Sequence, residues 1–381
     1  MKILILTGKF GMGHYSAALT LAEQIKAFDP HIEITVKDIY EIAYPDYCEM
    51  FYRSYMSLVS KGCKLYNFAY KKAVHSKLLK KKDRNSNKSQ WQKGHIVHML
   101  GKTIQELSPD VIISTYSLCA RFAADYKQIS GHNIPLITCV TDVSIHNVWI
   151  NPGTDIYLVG ARETKDSLID AGVRPEQIFV SGIPVKSVFG QAEDAETAQG
   201  SKTKEILIMG GGLGLLPRQN RFYEELAALP NTHTTIIVGK NEKLRKKLSG
   251  KYDSISVIGY TDRVNDYMRK ADLLISKAGG ITMFEAIHSR LPLLIFQPFL
   301  EQEISNARFL QDNGLAHILR DENKAAEQIA ALLFDDQGLQ RIRKNMDLLC
   351  RSLDKEALCR CLDKLGDGRP GDGGGERQRI A

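Results

Sequence analysis

The sequence predicts an α/β protein in which two parallel sheets each alternate with helices. Short β-rich runs recur along the chain with helical patterns between them, as expected for strands joined by helical crossovers. This alternation stops near the middle of the chain and then restarts. The length of 381 residues agrees with two domains, since one domain takes about 150 residues. We therefore expect a site in the cleft between the carboxyl ends of the two sheets.

The first domain is predicted to span residues 1–189. It opens with an apolar strand at 2–8, a glycine-containing turn and a helical pattern at 15–28. Further helical segments, such as 161–171, separate the β-rich runs that follow. These runs lie at 32–38, 110–115, 135–142, 155–160 and 177–185. This order predicts a parallel sheet with helices on both faces.

A second domain is predicted at 205–345, after a small, polar and charged segment at 190–204 that we interpret as an interdomain linker. Five further strands are expected, at 205–210, 232–239, 254–259, 272–277 and 291–296. Helical patterns at 323–334 and 337–365 close the fold, and 346–365 is assigned as a C-terminal helix. The Gly-rich, charged residues 366–381 are predicted to be disordered.

The composition excludes several classes of protein. Apolar residues at 43% and charged residues at 25% are ordinary values for a globular chain. The longest apolar runs, such as 291–296, are far shorter than the ~18–20 residues needed to span a bilayer, and no cleavable signal precedes the first strand. Seven cysteines without a CxxC pair support neither a disulfide framework nor a zinc ribbon. We expect a protein of the reducing cytoplasm.

The net charge of +7 is concentrated in one segment. Residues 61–93 contain eleven Lys or Arg and one Asp, a balance of +10, whereas the rest of the chain has 40 basic and 43 acidic residues, a balance of −3. The same segment carries aromatic side chains, namely Tyr66, Phe68, Tyr70 and Trp91. This pattern indicates a local basic and aromatic surface.

In each predicted domain, a glycine-rich loop follows the first strand. The first, GKFGMGH at 8–14, reads G-x-x-G-x-G and not G-x-G-x-x-G, which disfavours a nicotinamide dinucleotide site. Its last residues, Gly13 and His14, are expected at a helix start facing the cleft; the alternative is a glycine-rich turn with a surface histidine. In the second loop, MGGGLG at 209–214, Gly211 and Gly212 predict a closely approaching ligand or domain, since glycine costs about 0.5–1 kcal/mol in regular structure.

The stretch SKAGGITMFEA at 276–286 combines a strand end, a glycine pair and a helix start. Backbone N–H groups at such a start can hold a diphosphate without a metal, because they carry the positive end of the helix dipole. The residues predicted to do so are Gly279, Gly280, Ile281 and Thr282.

Acidic and amide side chains follow these backbone donors. Glu285 lies about one turn further on, where its carboxylate can accept both hydroxyls of a ribose; the alternative is a first-turn Glu favoured by the helix dipole. A polar cluster at the next helix start suits sugar hydroxyls, although acidic residues are also common there. It consists of Glu301, Gln302, Glu303 and Asn306.

Several ordered motifs give the sequence a family resemblance over roughly residues 1–345. The second half resembles the nucleotide-sugar half of a GT-B glycosyltransferase of family 28. Segments of the first half are similar to the monogalactosyldiacylglycerol synthase and processive diacylglycerol glucosyltransferase family, namely GMGHYSAALTLAEQI, VTDVSIHNVW, DIYLVGARETKDSLIDAGV and IFVSGIPV. The resemblance implies a GT-B fold of two Rossmann-like domains.

The resemblance also implies an activity. The family transfers a hexose, glucose or galactose, from a UDP-sugar to diacylglycerol at a membrane surface, with inversion at the anomeric carbon. By motif, His14 matches the His of the first glycine loop, Glu285 the ribose-binding Glu, and Gln302 and Glu303 the sugar-binding pair. A histidine suits the base that an inverting transfer needs near neutral pH. No metal or other cofactor is expected, because the backbone donors stabilise the departing UDP.

Two features leave alternatives open. Asp142 and His146, in VTDVSIH, line the acceptor side, orient His14 or form a structural turn. The family's P-G-Q-E reads F-L-E-Q-E here, with Glu301 at the Gly position, so glucose and galactose both stay open as the donor sugar.

An enzyme of this kind must reach the bilayer, and Lys80, Lys81 and Lys82 within the basic segment are predicted to dock on anionic lipids. The expected location is peripheral, on the inner face of the cell membrane. A solvated loop and nucleic-acid binding are the alternatives for this segment, and the motifs disfavour nucleic acid.

Rival functions are an N-acetylglucosamine transferase acting on a polyprenyl-linked cell-wall precursor, a UDP-sugar epimerase and a non-catalytic lipid- or nucleotide-binding module. The motifs at 141–149 and 182–185 disfavour the first, and His14 with Glu285 distinguishes an enzyme from a binding module. The sequence does not indicate an oligomeric state.

Overall fold

The computed structural model describes residues 1–10, 12–61, 87–145, 147–190, 203–212, 214–217, 219–296 and 301–367. Most of the predicted linker, most of the 366–381 tail, His146 and the lysines at 80–82 lie outside these residues. The predictions made for them therefore stay predictions.

The first sheet has six parallel strands in the order β2-β1-β3-β4-β5-β6. They are β1 Lys2–Thr7, β2 Glu33–Asp38, β3 Val111–Ser114, β4 Leu136–Cys139, β5 Ile156–Val159 and β6 Ile178–Val180. The strand order reverses between β1 and β3, and such a switch point opens a crevice beyond the carboxyl ends of the two strands. The loop that follows β1 and leads to His14 lies at this crevice.

The second sheet is also parallel and six-stranded, in the order β12-β11-β10-β7-β8-β9. Its strands are β7 Lys204–Met209, β8 Thr232–Ile237, β9 Ile255–Ile258, β10 Leu273–Ser276, β11 Leu293–Ile295 and β12 Ala316–Ile318. The switch point lies between β7 and β10. The loops after these two strands are the glycine loops at 210–214 and 277–280, so both open into one crevice.

Helices connect the strands of each sheet. In the first half they are α1 Gly13–Phe28, α2 Ile39–Ala43, α3 Cys48–Lys61, α4 Asn87–Leu107, α5 Ser117–Ser130 and α6 Arg162–Asp170. In the second half they are α7 Asn220–Ala227, α8 Glu242–Leu248, α9 Val264–Lys270, α10 Gly280–His288, α11 Glu301–Asp312, α12 Ala325–Leu333, α13 Asp336–Ser352 and α14 Ala357–Asp367.

Successive side chains of β1 point to opposite faces of the first sheet, and helices cover both faces. Leu4 and Leu6 pack on one side with α2, α4 and α5, whereas Ile3 and Ile5 pack on the other with α1 and α14. A strand buried on both faces reads as a continuous apolar run, which is the pattern of KILIL. The predicted two-sheet α/β architecture is therefore confirmed, and a sixth strand, β12, joins the second sheet.

One predicted element is wrong. The pattern at 337–365, including the assigned helix at 346–365, is not one helix but α13 and α14, separated at Leu353, whose backbone is extended. Asp354 N–H donates to the Val180 carbonyl at 2.8 Å, which ties the break to the end of β6. The chain thus returns to the first sheet, where Ala357, Leu358 and Leu362 of α14 are buried.

Within the part of the chain that the structure describes, no helix combines the length and apolar character needed to cross a bilayer.

Candidate functional site

A cavity of about 240 Å³ lies between the carboxyl ends of the two sheets. Every predicted site residue whose side chain or glycine backbone the structure describes contributes to its wall. These are Gly13, His14, Asp142, Gly211, Gly212, Gly279, Gly280, Ile281, Thr282, Glu285, Glu303 and Asn306. The sequence therefore located the cavity, while the role of each residue stays a prediction.

His14 is the second residue of α1 and faces this cavity from the first sheet. Its Nδ1 lies 2.8 Å from the Thr141 hydroxyl oxygen. When Nδ1–H donates to that hydroxyl, Nε2 keeps a lone pair. On one side of the ring lies Tyr116, with the ring centroids 4.9 Å apart. The residue that orients His14 is therefore Thr141, and the hydrogen bond of its neighbour Asp142 goes to Asn306.

Burial sets the charge of His14. Desolvation lowers its pKa from 6.5 to about 4, while a hydrogen bond with the Thr115 backbone acts in the opposite direction. The imidazole is consequently neutral at pH 7, which is the form that can accept a proton.

The loop before α1 is held by a buried carboxylate. Asp38, at the end of β2, accepts hydrogen bonds from the Lys9 backbone N–H at 3.0 Å and from the Tyr52 hydroxyl. Phe10, between Lys9 and α1, packs edge-on against Tyr52 and Tyr55 of α3, with ring centroids 4.8 Å apart in each pair. The loop and α3 therefore form one unit beside the cavity.

The triple glycine after β7 has a steric origin. A Cβ on Gly210 would lie 2.6 Å from the Leu215 amide nitrogen, and Gly211 adopts a φ of 68°, in the left-handed region that favours glycine. Gly212 faces the other sheet instead, because its Cβ position is 3.8 Å from Met12 Cγ. A distance of 3.8 Å is an ordinary van der Waals contact, so the expectation of a closely approaching ligand or domain at Gly212 stays a prediction.

The start of α10 packs directly against the first sheet. A Cβ on Gly280 would lie 2.1 Å from the Thr141 carbonyl oxygen. Ile281, the next residue, approaches Gly13, whose Cβ position is 3.7 Å from Ile281 Cγ1. The first N–H groups of a helix have no intrahelical partner, so those of α10 are donors next to the cavity. His14 and these donors thus line one cavity from opposite sheets.

Glu285 is the sixth residue of α10 and does not lie in its first turn. Burial raises its pKa from 4.5 to about 7, and the charge of Lys186 acts in the opposite direction. An acidic residue that favours the helix dipole would be exposed in the first turn, so this geometry disfavours that alternative.

An ion pair lies in the wall of the cavity. Lys277 Nζ is 2.6 Å from Glu303 Oε1, and the Glu303 side chain is only 4% exposed. Lys277 follows β10, and Glu303 is the third residue of α11. The Lys277 ammonium of this pair lies beside the start of α10.

Asn306 joins the two sheets. Its amide donates to the Ala278 carbonyl at 3.0 Å and to the Asp142 carboxylate at 3.4 Å, and its oxygen accepts from Val143 N–H at 3.3 Å. Burial raises the pKa of Asp142 to about 6, and its hydrogen bond with Asn306 acts in the opposite direction. The Asn306 amide, which was predicted to contact the sugar, therefore makes its hydrogen bonds to other groups of the protein.

Two family models match the chain. Residues 14–185 match monogalactosyldiacylglycerol (MGDG) synthase, and residues 205–346 match the glycosyltransferase family 28 C-terminal domain. Together these matches identify the chain as a glycosyltransferase. The processive diacylglycerol beta-glucosyltransferase of Bacillus subtilis (strain 168) is 29% identical over 91% of this chain and 90% of that protein. The protein with the same description from Bacillus cereus (strain ATCC 14579) is 29% identical over 91% and 89%.

Solved structures share the GT-B fold of this glycosyltransferase. The crystal structure of Acinetobacter baumannii MurG has a TM-score of 0.62 and 15% identity, covering 96% of this chain and 99% of MurG. Anabaena HepE in complex with UDP-glucose has a TM-score of 0.56 and 14% identity, covering 96% and 100%.

Sequence reasoning missed four polar residues of the glycosyltransferase cavity, namely Ser16, Tyr55, Thr141 and Lys277. Lys277 directly precedes the Ala-Gly-Gly turn, so its position after a strand at the switch point was an available signal. Thr141 could not be found in this way, because its contacts with His14 and Gly280 depend on how the two sheets face each other. The Gln302 side chain lies outside the described part of the chain.

Proposed function

We propose that this glycosyltransferase moves a hexose from a UDP-sugar to diacylglycerol at a membrane surface, with inversion at the anomeric carbon. One observation carries the proposal: a neutral histidine and a row of backbone donors line the same cavity from opposite sheets. An inverting transfer needs a base on one side of the sugar and a stabilised leaving group on the other.

The reaction follows from this arrangement. His14 Nε2 takes the proton of the acceptor hydroxyl as its oxygen attacks the anomeric carbon. The bond from that carbon to the β-phosphate oxygen breaks, and its electron pair goes to UDP. The N–H groups of Gly280, Ile281 and Thr282 would stabilise the charge that develops there. Since attack and departure occur on opposite faces, the configuration inverts.

We propose glucose as the transferred sugar. The relatives from Bacillus are described as beta-glucosyltransferases, which favours glucose over galactose. A β-glucoside formed from an α-linked UDP-glucose requires inversion, in agreement with the arrangement of base and donors. Glu301 departs from the family's glycine, so galactose is a necessary arm of the test.

An exposed apolar face supports action at a membrane. Tyr47 and, from α3, Met50 and Phe51 have 58%, 55% and 40% of their surface exposed, at the spacing of one helix face. Tyr55 of the same helix lines the cavity and contacts Phe10. We propose that this face contacts the bilayer, so that a diacylglycerol hydroxyl can reach His14. A peripheral position on the inner face of the membrane would also give access to cytoplasmic UDP-sugar.

A direct assay tests the proposal. The full-length protein is incubated with diacylglycerol vesicles and radiolabelled UDP-glucose, UDP-galactose or UDP-N-acetylglucosamine, and lipid products are separated. We expect labelled β-glucosyldiacylglycerol from UDP-glucose. No labelled glycolipid from any of the three donors would refute the proposal. Transfer from UDP-N-acetylglucosamine to a polyprenyl-linked precursor alone, or epimerisation of the donor, would favour one of the rival functions.

A further inference from the structure

Lys277 lies where the fold would not place a cation for stability. A Cβ on Gly279, which precedes α10, would be 3.7 Å from Lys277 Nζ, so the ammonium is at the helix N-terminus. The positive end of the helix dipole disfavours a cation at that position. The Lys277 stem passes the second glycine loop, with Cε 3.0 Å from the Cβ position of Gly211. The ammonium thus sits between the two loops where an anion would be stabilised.

Glu303 compensates this charge in the ligand-free protein. Its carboxylate, 2.6 Å from Lys277 Nζ, is nearly fully buried, so little water can reach it to replace Lys277, whereas the Lys277 side chain is 24% exposed. Both residues face the cavity, and both act on the nearby Asp142 carboxyl, whose pKa Glu303 raises and Lys277 lowers. A bound diphosphate would offer Lys277 a second anionic partner within the same cavity.

We propose that Lys277 changes partner during the catalytic cycle, from Glu303 in the free enzyme to the diphosphate of the bound donor. The change releases the Glu303 carboxylate to accept hydrogen bonds from the hexose hydroxyls. Lys277 stays protonated: the electron pair of the breaking bond goes to the β-phosphate oxygen, and the acceptor proton goes to His14. The inference rests on the proposed UDP-sugar donor.

Titration calorimetry of the full-length protein with UDP and with uridine tests this exchange. Lys277→Met should weaken UDP binding by about 10- to 150-fold, the range for a hydrogen bond to a charged group, and leave uridine binding unchanged because uridine has no phosphate. Lys277→Arg should recover most of the UDP affinity. The matched control is Lys127→Met, which breaks another 2.6 Å ion pair, with Asp155 in the first sheet, and should bind UDP like the parent.

Glu303→Gln provides the sharper test. Removing the competing carboxylate should tighten UDP binding by about 3- to 10-fold, within the range of coupling in one ion-pair network, while slowing glycosyl transfer. In the double variant with Lys277→Met this gain should vanish.

The outcomes separate the two proposals. If the parent binds UDP but Lys277→Met loses UDP and uridine affinity equally, or loses neither, the exchange is wrong and the UDP-sugar donor stands. A Glu303→Gln variant that binds UDP no better than the parent also overturns the exchange. If the parent binds no UDP, both proposals fail.

Discussion

Glu285→Gln should stabilise the ligand-free protein while weakening its substrate binding. The carboxyl is partly buried in the cavity wall, and desolvation raises its pKa from 4.5 to about 7. At pH 8 the folded protein must therefore hold an ionised carboxylate in surroundings that favour the neutral form. Glutamine has nearly the same shape and carries no charge, so the substitution removes that cost.

The size and the sign of the effect follow from linkage. A pKa that rises from 4.5 to about 7 corresponds to about 3 kcal/mol. Because the folded-state pKa is raised, the stability that protonated Glu285 contributes is complete below pH 4.5 and is lost as the pH rises through 7. The variant should therefore gain up to about 3 kcal/mol at pH 8 and little at pH 4.5. At 2–4 °C per kcal/mol this is at most about 6–12 °C in Tm.

Thermal unfolding at pH 8 and pH 5, with UDP titrations at both, provides the assay. The Tm gain should be larger at pH 8. The binding free energy of UDP should weaken by about 1.5–3 kcal/mol, because the carboxylate that is predicted to bind the ribose is lost. Glu242→Gln is the matched control, since Glu242 lies exposed in the first turn of α8 and pairs with Arg245. It should change Tm slightly or lower it. A Glu285→Gln variant that is less stable than the parent at pH 8 would refute the reasoning, and unchanged UDP affinity would remove Glu285 from the donor site.

Four further outcomes are expected. His14→Ala should lower glycosyl transfer by about 10²–10⁴-fold and leave UDP affinity nearly unchanged in calorimetry, since the base acts on the acceptor; near-parental turnover would reject this role. Activity should persist in EDTA, because the proposed reaction stabilises the leaving UDP with backbone donors and not with a metal. Abolition by EDTA with rescue by a divalent cation would contradict this. Replacing the lysines at 80–82 by Gln should lower partitioning onto anionic vesicles by up to about two decades at low salt, as measured by sedimentation, and leave UDP binding unchanged. Unchanged sedimentation would indicate that the segment is a solvated loop. Gly280→Ala should lower turnover by at least about 10²-fold. Gly279→Ala should lower turnover far less, because its Cβ would meet only Lys277 Nζ at 3.7 Å. Equal turnover of the two variants would contradict the steric role of Gly280.

Most of the fold was predictable because the central strands of both sheets are buried. Buried parallel strands read as apolar runs, and the glycine loops after them mark the switch points. The exception among the strands is β12, which has three residues, Ala316–Ile318, with a histidine at its centre. So short a run has no β-rich pattern, and its place in the sheet depends on pairing with β11.

The break between α13 and α14 was not predictable for a related reason. Residues 353–356 contain neither glycine nor proline, so the helical pattern continues through them. The helix ends because the Asp354 amide pairs with the Val180 carbonyl of the other sheet. That contact is tertiary and overrides local propensity.

The candidate site shows the same division between local and tertiary information. The segments that contain His14, Gly280 and Glu285 were predictable, because in each a strand and a glycine loop are followed by a helix with residue types suited to the chemistry. The use of the Asn306 amide was not, since two of its three partners, Asp142 and Val143, follow β4 of the other sheet. A sequence pattern gives the candidates for a site, whereas the packing of the two sheets decides which of their groups stay open to a substrate.

Thr141 connects the two halves of the proposed reaction. Its hydroxyl holds the His14 ring at 2.8 Å, and its carbonyl lies 2.1 Å from the position that a Cβ of Gly280 would take. The same residue thus positions the base and receives the helix start that would bind the diphosphate. Because that carbonyl is backbone, it cannot rotate away as a flexible side chain would. The distance between base and leaving group is therefore set by backbone packing between the sheets, and the absence of a side chain at Gly280 is what allows the two to approach.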